Sequence, residues 1–149
     1  MDYSIKKLAP SDISLAIQLI ELWNLQDHIS DIPIPNENYL SDLLSKDDFH
    51  AFAAHRGDVL IAGLTAYELP MFKEEVREMF LYEIGVAENY RQQGIAKSLI
   101  EELKKTCSGR NIKIIFVGSS NDNQAAQQLY HRTGGVREVI PWFTYTLDF

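Results

Sequence analysis

Apolar positions recur at two different spacings along this chain, and the places where the spacing changes mark its elements. Ser4–Leu8 alternates, which predicts a short edge strand. Pro10-Ser11-Asp12 reads as a helix start, followed by Ile13, Ala16, Ile17, Ile20 and Trp23 at helical spacing. Asp31-Ile32-Pro33-Ile34-Pro35 carries two prolines, which lack the N–H a helix needs, so it is a loop. Asn36 is placed to cap a second helix to about Ser45, with Tyr39, Leu40, Leu43 and Leu44 inward. His50–His55 and Val59–Leu69 flank Arg56-Gly57-Asp58, the pattern of an antiparallel hairpin.

Pro70–Glu78 is a polar interruption. Met79–Val86 then reads as a buried strand, apolar apart from Glu83 and Gly85 near its end. Ile95, Leu99 and Leu103 follow at i, i+4 and i+8, joined by Ala96 and Ile100, with Glu101, Glu102, Lys104 and Lys105 on the other side. Ser108–Asn111 breaks this helix, and Lys113–Gly118 is a continuous apolar strand of the kind found at a sheet centre. Strand, crossover helix and strand in about 40 residues make a βαβ unit with parallel strands. Asn123–Thr133 predicts a further helix carrying Ala125, Ala126, Leu129 and Tyr130 and ended by Gly134. Gly135–Ile140 and Trp142–Phe149 predict a final hairpin, where Phe143, Tyr145, Leu147 and Phe149 alternate with Thr144, Thr146 and Asp148. The order is β-α-α-β-β-β-α-β-α-β-β: an α/β chain with a mixed sheet and helices on both faces.

Length and charge narrow the function. The 149 residues suit one domain, 1–149, with a real core. No apolar run approaches the ~20 residues that span a bilayer, so no membrane partner is expected. The N-terminus lacks an apolar signal segment, and the single Cys107 cannot form an internal disulfide; both fit a reducing cytoplasm. A net charge of −7 argues against nucleic acid and suits a cationic small molecule, although solubility alone explains most negative surfaces. His28, His50, His55 and His131 show no metal-ligand spacing, so no metal is expected.

The chemistry concentrates at Arg91-Gln92-Gln93-Gly94-Ile95-Ala96, between the buried strand and its helix. A helix N-terminus leaves backbone N–H groups without intrahelical partners, and with the helix dipole these attract an anion. Gly94 permits close backbone approach and Arg91 adds charge, so the segment is a candidate phosphate cradle. By itself Arg91-x-x-Gly94-x-Ala96 is equally a plain loop-to-helix junction.

Further matches follow. The segment lies four residues beyond a buried strand, and the next helix carries Asn123-x-x-Ala126-x-x-Leu129-Tyr130 before Gly134-Gly135. With these the chain resembles the GNAT family of acetyl-CoA-dependent N-acetyltransferases, over nearly its whole length in element order and over Phe80–Gly135 in motifs. The resemblance implies the GNAT acyl-CoA N-acyltransferase fold with acetyl-CoA as cosubstrate. It implies that Arg91, Gln92, Gln93, Gly94, Ile95, Ala96 and Lys97 hold the CoA pyrophosphate. Ile84, Gly85 and Val86 would pair with the pantetheine arm as another strand would, and Asn123, Ala126 and Tyr130 would line the same arm and the thioester. Without the family, Tyr130 reads as a core residue.

The reaction so implied is direct attack of an amine on the thioester. An alkylamine has a pKa of ~10 and must lose a proton first. Glu83 is the candidate base, acting directly or through water, with a solvent-facing strand residue as the bland alternative. Tyr130 would donate to the departing thiolate, and the Val86 N–H would polarise the carbonyl. Within the family the chain is most similar to the small aminoglycoside 3-N-acetyltransferases, through Ala66–Phe72, Tyr82–Val86 and Arg137-Glu138-Val139. It departs from them in having Glu83 where aspartate is usual, and in Asp122–Ala126 and Thr133-Gly134-Gly135.

Asp27, Asp31, Glu37, Glu68, Glu74, Glu75 and Glu78 are candidates for binding a polyamine, or are solvated surface. The expected function is therefore acetyl transfer to an aminoglycoside or related polycationic amine, in resistance or in metabolism. The rivals are a GNAT enzyme acting on a protein N-terminus, a lysine or a simple amine, and a non-catalytic acyl-CoA sensor. Homodimerisation through Trp142, Phe143 and Tyr145 is a further expectation. Cys107 reads as a small buried hydrophobe, and Trp23 and Trp142 as core or acceptor-pocket wall.

Overall fold

The computed structural model describes residues 2–148; Phe149, the last position of the expected hairpin, lies outside them. The chain up to Gly118 forms one compact unit and the chain from Ser119 a second.

The first unit contains β1 (Ser4–Lys7), α1 (Ile13–Gln26), α2 (Glu37–Leu44), β2 (Phe49–Arg56), β3 (Val59–Pro70), β4 (Arg77–Val86), α3 (Ile95–Cys107) and β5 (Ile112–Phe116). The strands lie in the order β1-β2-β3-β4-β5. All neighbours are antiparallel except β4 and β5, which run parallel across the α3 crossover. This is the succession that the spacing of apolar residues predicts.

Two differences have physical causes. β4 begins at Arg77 rather than Met79, because backbone pairing with Pro70 and Leu69 tolerates the polar side chains of Arg77 and Glu78. β5 stands last in the sheet order, with Ile114 53% exposed, rather than at its centre. A central position required another strand beyond it, and the described residues contain none.

Asn36 caps α2 as expected, its Oδ1 accepting from the Tyr39 N–H at 2.9 Å. Leu8, Ala16, Leu40, Leu44, Phe49, Ala51 and Ala53 form one buried cluster joining α1 and α2 to β2. α3 buries the predicted stripe of Ile95, Leu99, Ile100 and Leu103. α1 comes very close to the sheet, because Gly63 and Gly85 face each other across β3 and β4. A Cβ on Gly63 would meet the Leu19 side chain and lie 2.8 Å from the Phe52 carbonyl oxygen. One on Gly85 would lie 2.6 Å from Trp23 Nε1 and 3.0 Å from Gln26 Oε1. Leu19 and Trp23 are about one turn apart, so successive turns of the helix rest on paired glycines.

In the second unit α4 (Gln124–Arg132) forms behind Asn123, whose Oδ1 accepts from the Ala126 N–H at 3.1 Å. The expected final hairpin is corrected: Gly135–Asp148 contains no strand. Its turn, Ile140-Pro141-Trp142, lacks the Asn-Gly or Asp-Gly chemistry of tight hairpins. A two-stranded hairpin without further partners is also marginal in water.

Candidate active site

β4 and β5 part company along their length, and this opens the site. Their pairing runs from Arg77↔Ile112 to Phe80↔Phe116, where the two phenyl rings stack with centroids 4.7 Å apart. Beyond that rung β4 continues to Val86 paired only with β3. The Ala87 N–H donates to the Ile61 carbonyl. Backbone groups alternate sides along a strand, so the N–H groups of Val86 and Ile84 point toward the edge that β5 leaves uncovered. The Val86 carbonyl accepts from Gln26 Nε2 at 2.8 Å and from Arg91 Nε at 3.2 Å, which leaves its N–H as the outward group. By the same alternation Gly85 turns its backbone toward β3, and its lack of a side chain serves the approach of Trp23.

A turn at Glu88–Tyr90 leads from β4 into the loop before α3. Gln92 and Gly94 have φ of +60° and +81°. Left-handed residues alternating with ordinary ones fold a loop into a nest whose N–H groups converge on an anion. The first turn of α3 adds donors without intrahelical partners, and it carries no acidic residue. Ile95 anchors this end by burying its side chain, while Ala96 is half-buried and Lys97 is exposed. The arrangement fits a pyrophosphate.

Glu83 lies two residues before Gly85 and faces the same side of the sheet, toward α1 and α2. It accepts a hydrogen bond from Thr65 Oγ1 at 2.9 Å. Both line a cavity of about 130 Å3 whose other walls include Trp23, Tyr39, Leu43 and Tyr67. Removal of water by these apolar walls pushes the Glu83 carboxyl above its ordinary range; Asp27 adds repulsion, and the Thr65 hydrogen bond opposes both. A carboxylate so raised holds a proton more readily than a surface glutamate, as a general base must. Tyr67 is also pushed up, first by burial and then by the charge of Glu83.

One expected acid is elsewhere. Glu68, among the candidates for binding a polyamine, has no exposed side-chain surface. It accepts from His50 Nε2 at 2.6 Å, from Arg77 at 2.9 Å and from Arg110. Burial raises its pKa, but the three donors outweigh that and hold the carboxyl below its ordinary range. It ties β2, β3, β4 and the α3–β5 loop together. Burial likewise raises the Cys107 thiol, away from nucleophile character.

The first unit therefore brings together Glu83, Ile84, Val86 and the Arg91–Lys97 segment. In the second, Ala126 and Tyr130 lie on α4 and Asn123 caps it. Asn123 uses its oxygen as the helix cap, so its amide NH2 is the end that can donate to a ligand. Burial pushes the Tyr130 phenol up, which keeps it protonated. Thr65 and Gln26 were not legible as site residues; the only hint was a lone hydroxyl within Ile61–Ala66. No group of three or more metal-ligating side chains occurs among the described residues, and no helix there is long and apolar enough to cross a membrane.

Comparison with known proteins places this geometry. The family model described as the acetyltransferase (GNAT) family matches residues 17–135. An aminoglycoside acetyltransferase from an uncultured soil metagenomic sample, solved with sisomicin, is 28% identical with a TM-score of 0.93, over 99% of this chain and 97% of that one. A second such enzyme from a soil metagenomic sample is 31% identical with a TM-score of 0.88, over 99% of this chain and 100% of that one. The uncharacterized protein YxbD of Bacillus subtilis (strain 168) is 31% identical over 94 residues, 63% of this chain and 55% of that protein. The chain thus spans about half the length of that curated relative. With its splayed β4–β5 pair, its nest before α3 and a family match across most of its length, this chain belongs to the acetyltransferase (GNAT) family.

Proposed function

We propose that the donor is acetyl-CoA and that a primary amine attacks it directly within a ternary complex, the acceptor being an aminoglycoside or related polycationic amine. The observation that carries this reading is Glu83, a raised carboxylate on Thr65 in a cavity beside the open end of β4. Acetyl-CoA supplies an activated thioester carbonyl. The nest at Gln92–Gly94 and the first turn of α3 would hold its pyrophosphate, with Arg91 closing the end of β4. The N–H groups of Ile84 and Val86 would take the pantetheine amide and the thioester oxygen. Glu83 would remove the ammonium proton, directly or through water. Tyr130, kept protonated by burial, would donate to the leaving sulfur, and Asn123 and Ala126 would flank the arm.

Two aminoglycoside acetyltransferases similar over nearly their whole length support the acceptor class, as does the net charge of −7. A second reading, a simple amine with an apolar body, draws support from the mostly apolar walls around Glu83. The reading also includes a cytoplasmic homodimer, and exposed Trp142, Phe143 and Tyr145 supply its contact.

The test is thiol release from acetyl-CoA against aminoglycosides, spermidine, simple amines, and lysine and N-terminal peptides. Rapid release with an aminoglycoside and a loss of about 100-fold or more in Glu83→Gln are expected. Release only with peptides or simple amines would discard the acceptor. Wild-type turnover by Glu83→Gln would discard the base.

A further inference from the structure

The loop before α3 is gripped from outside by one side chain of β2. Arg56, the last residue of that strand, donates from Nη2 to Gln93 Oε1 at 3.1 Å. Its guanidinium carbon lies 5.1 Å from the centroid of the Tyr90 ring. Gln93 passes the restraint on, because its Nε2 donates to the Asn89 carbonyl at 3.3 Å. The same guanidinium donates from Nε to the Asp2 carbonyl at 3.2 Å.

Tyr90 and Gln93 bracket Arg91 and Gln92, so the fork holds the loop on both sides of its tightest bend. That bend contains Gln92 at φ +60°, a conformation a residue with a Cβ keeps only when its surroundings enforce it. The hairpin turn that follows Arg56 belongs to no part of the acetyl-transfer chemistry, so nothing in the reaction explains the contact. Its geometry does: releasing the grip lets Gln92 relax and turns the nest N–H groups away from their common focus.

We propose that Arg56 is a positioning residue for the pyrophosphate of CoA, acting through Gln93 and Tyr90 without touching the ligand. This rests on the acetyl-CoA reading above. A guanidinium fork is required, since one group must donate to Gln93 in its plane while its face covers Tyr90. An ammonium supplies the charge but not that geometry.

The experiment compares the unmodified chain with Arg56→Met and Arg56→Lys. It uses two donors, acetyl-CoA and acetylpantetheine, the second lacking the pyrophosphate, together with CoA titration by calorimetry. For both variants the expected result is about a tenfold rise in the Kd for CoA and the KM for acetyl-CoA, the size of effect that losing one oriented, charge-assisted contact produces. The kcat at saturating acetyl-CoA and the kcat/KM with acetylpantetheine stay at the unmodified values. Equal losses with both donors would mean general distortion and overturn the proposal. Full rescue by lysine would make the role one of charge alone and overturn it too, as would unaltered CoA affinity. Absence of CoA binding by the unmodified chain would instead refute the acetyl-CoA reading, and this inference with it.

Discussion

Glu68→Gln isolates the polar knot at the lower end of the sheet. The substitution keeps the side-chain volume and removes the charge that His50, Arg77 and Arg110 share. Removing one partner of a buried ion pair costs about 3–5 kcal/mol, because the other charge is stranded. Here Arg77 and Arg110 are 43% and 37% exposed and can hydrate once released, while His50 is buried and neutral. The expected loss is therefore at the low end, about 3 kcal/mol, or about 6–12 °C in Tm for a chain of this size.

Urea unfolding followed by circular dichroism reads this as a fall in midpoint at constant slope. The pH dependence gives an independent check. The folded-state pKa of Glu68 is depressed, so its contribution is present above the ordinary carboxyl value and lost as pH falls through the folded value. Glu68→Gln removes that loss and flattens the acid limb below about pH 4.5. His50, whose pKa is lowered chiefly by burial, gives a separate decline as pH falls below about 6.5, because only the unfolded chain takes the proton there. A Tm within 2 °C of the unmodified chain and an unaltered acid limb would refute the reasoning, since Glu68 would then be an ordinary surface carboxylate.

Other expectations follow from the same structure. Gly63→Ala drives a Cβ toward the Phe52 backbone, which cannot yield, and costs about 1–3 kcal/mol. Gly85→Ala meets side chains of Trp23 and Gln26, which can, so its Tm falls less; the reverse order in a thermal melt would contradict the packing described. The kcat/KM for amine falls as pH drops through the raised pKa of Glu83, with the limb above the usual carboxylate range, and a pH–rate profile of Glu83→Gln lacks that limb. Because the native cavity disfavours the charged Glu83, Glu83→Gln does not lower the Tm. Tyr130→Phe loses about tenfold or more in kcat with little change in melting, and a wild-type rate would remove the phenol from the mechanism.

Periodicity located the four α-helices and the five strands of the described residues, because burial of one face imposes a spacing that a chain cannot hide. Asn36 was legible as a cap, since it satisfies a local backbone demand; that Asn123 caps α4 and that Gly94 enters α3 in the left-handed conformation came from the structure. Glu83 was legible as the one acid in an apolar strand. The last hairpin was not: its alternation is real, but alternation says only which residues share a face, and pairing needs a partner and a turn. Glu68 read as one of seven acids that bind a polyamine or face solvent until the fold supplied three donors from 9 to 42 residues away.

Thr65 beneath Glu83, Gln26 on the Val86 carbonyl and Arg56 on Gln93 belong to the same class. The paired glycines that let α1 settle onto the sheet came from register, which brings Gly63 and Gly85 face to face. The sequence alone determined the elements up to α4, the candidate anion-binding joint and the candidate base, all set by forces acting within a few residues. Which polar groups meet, and hence which carboxyl lines a cavity with its pKa raised and which is buried among three donors, was decided by contacts between segments far apart in the chain.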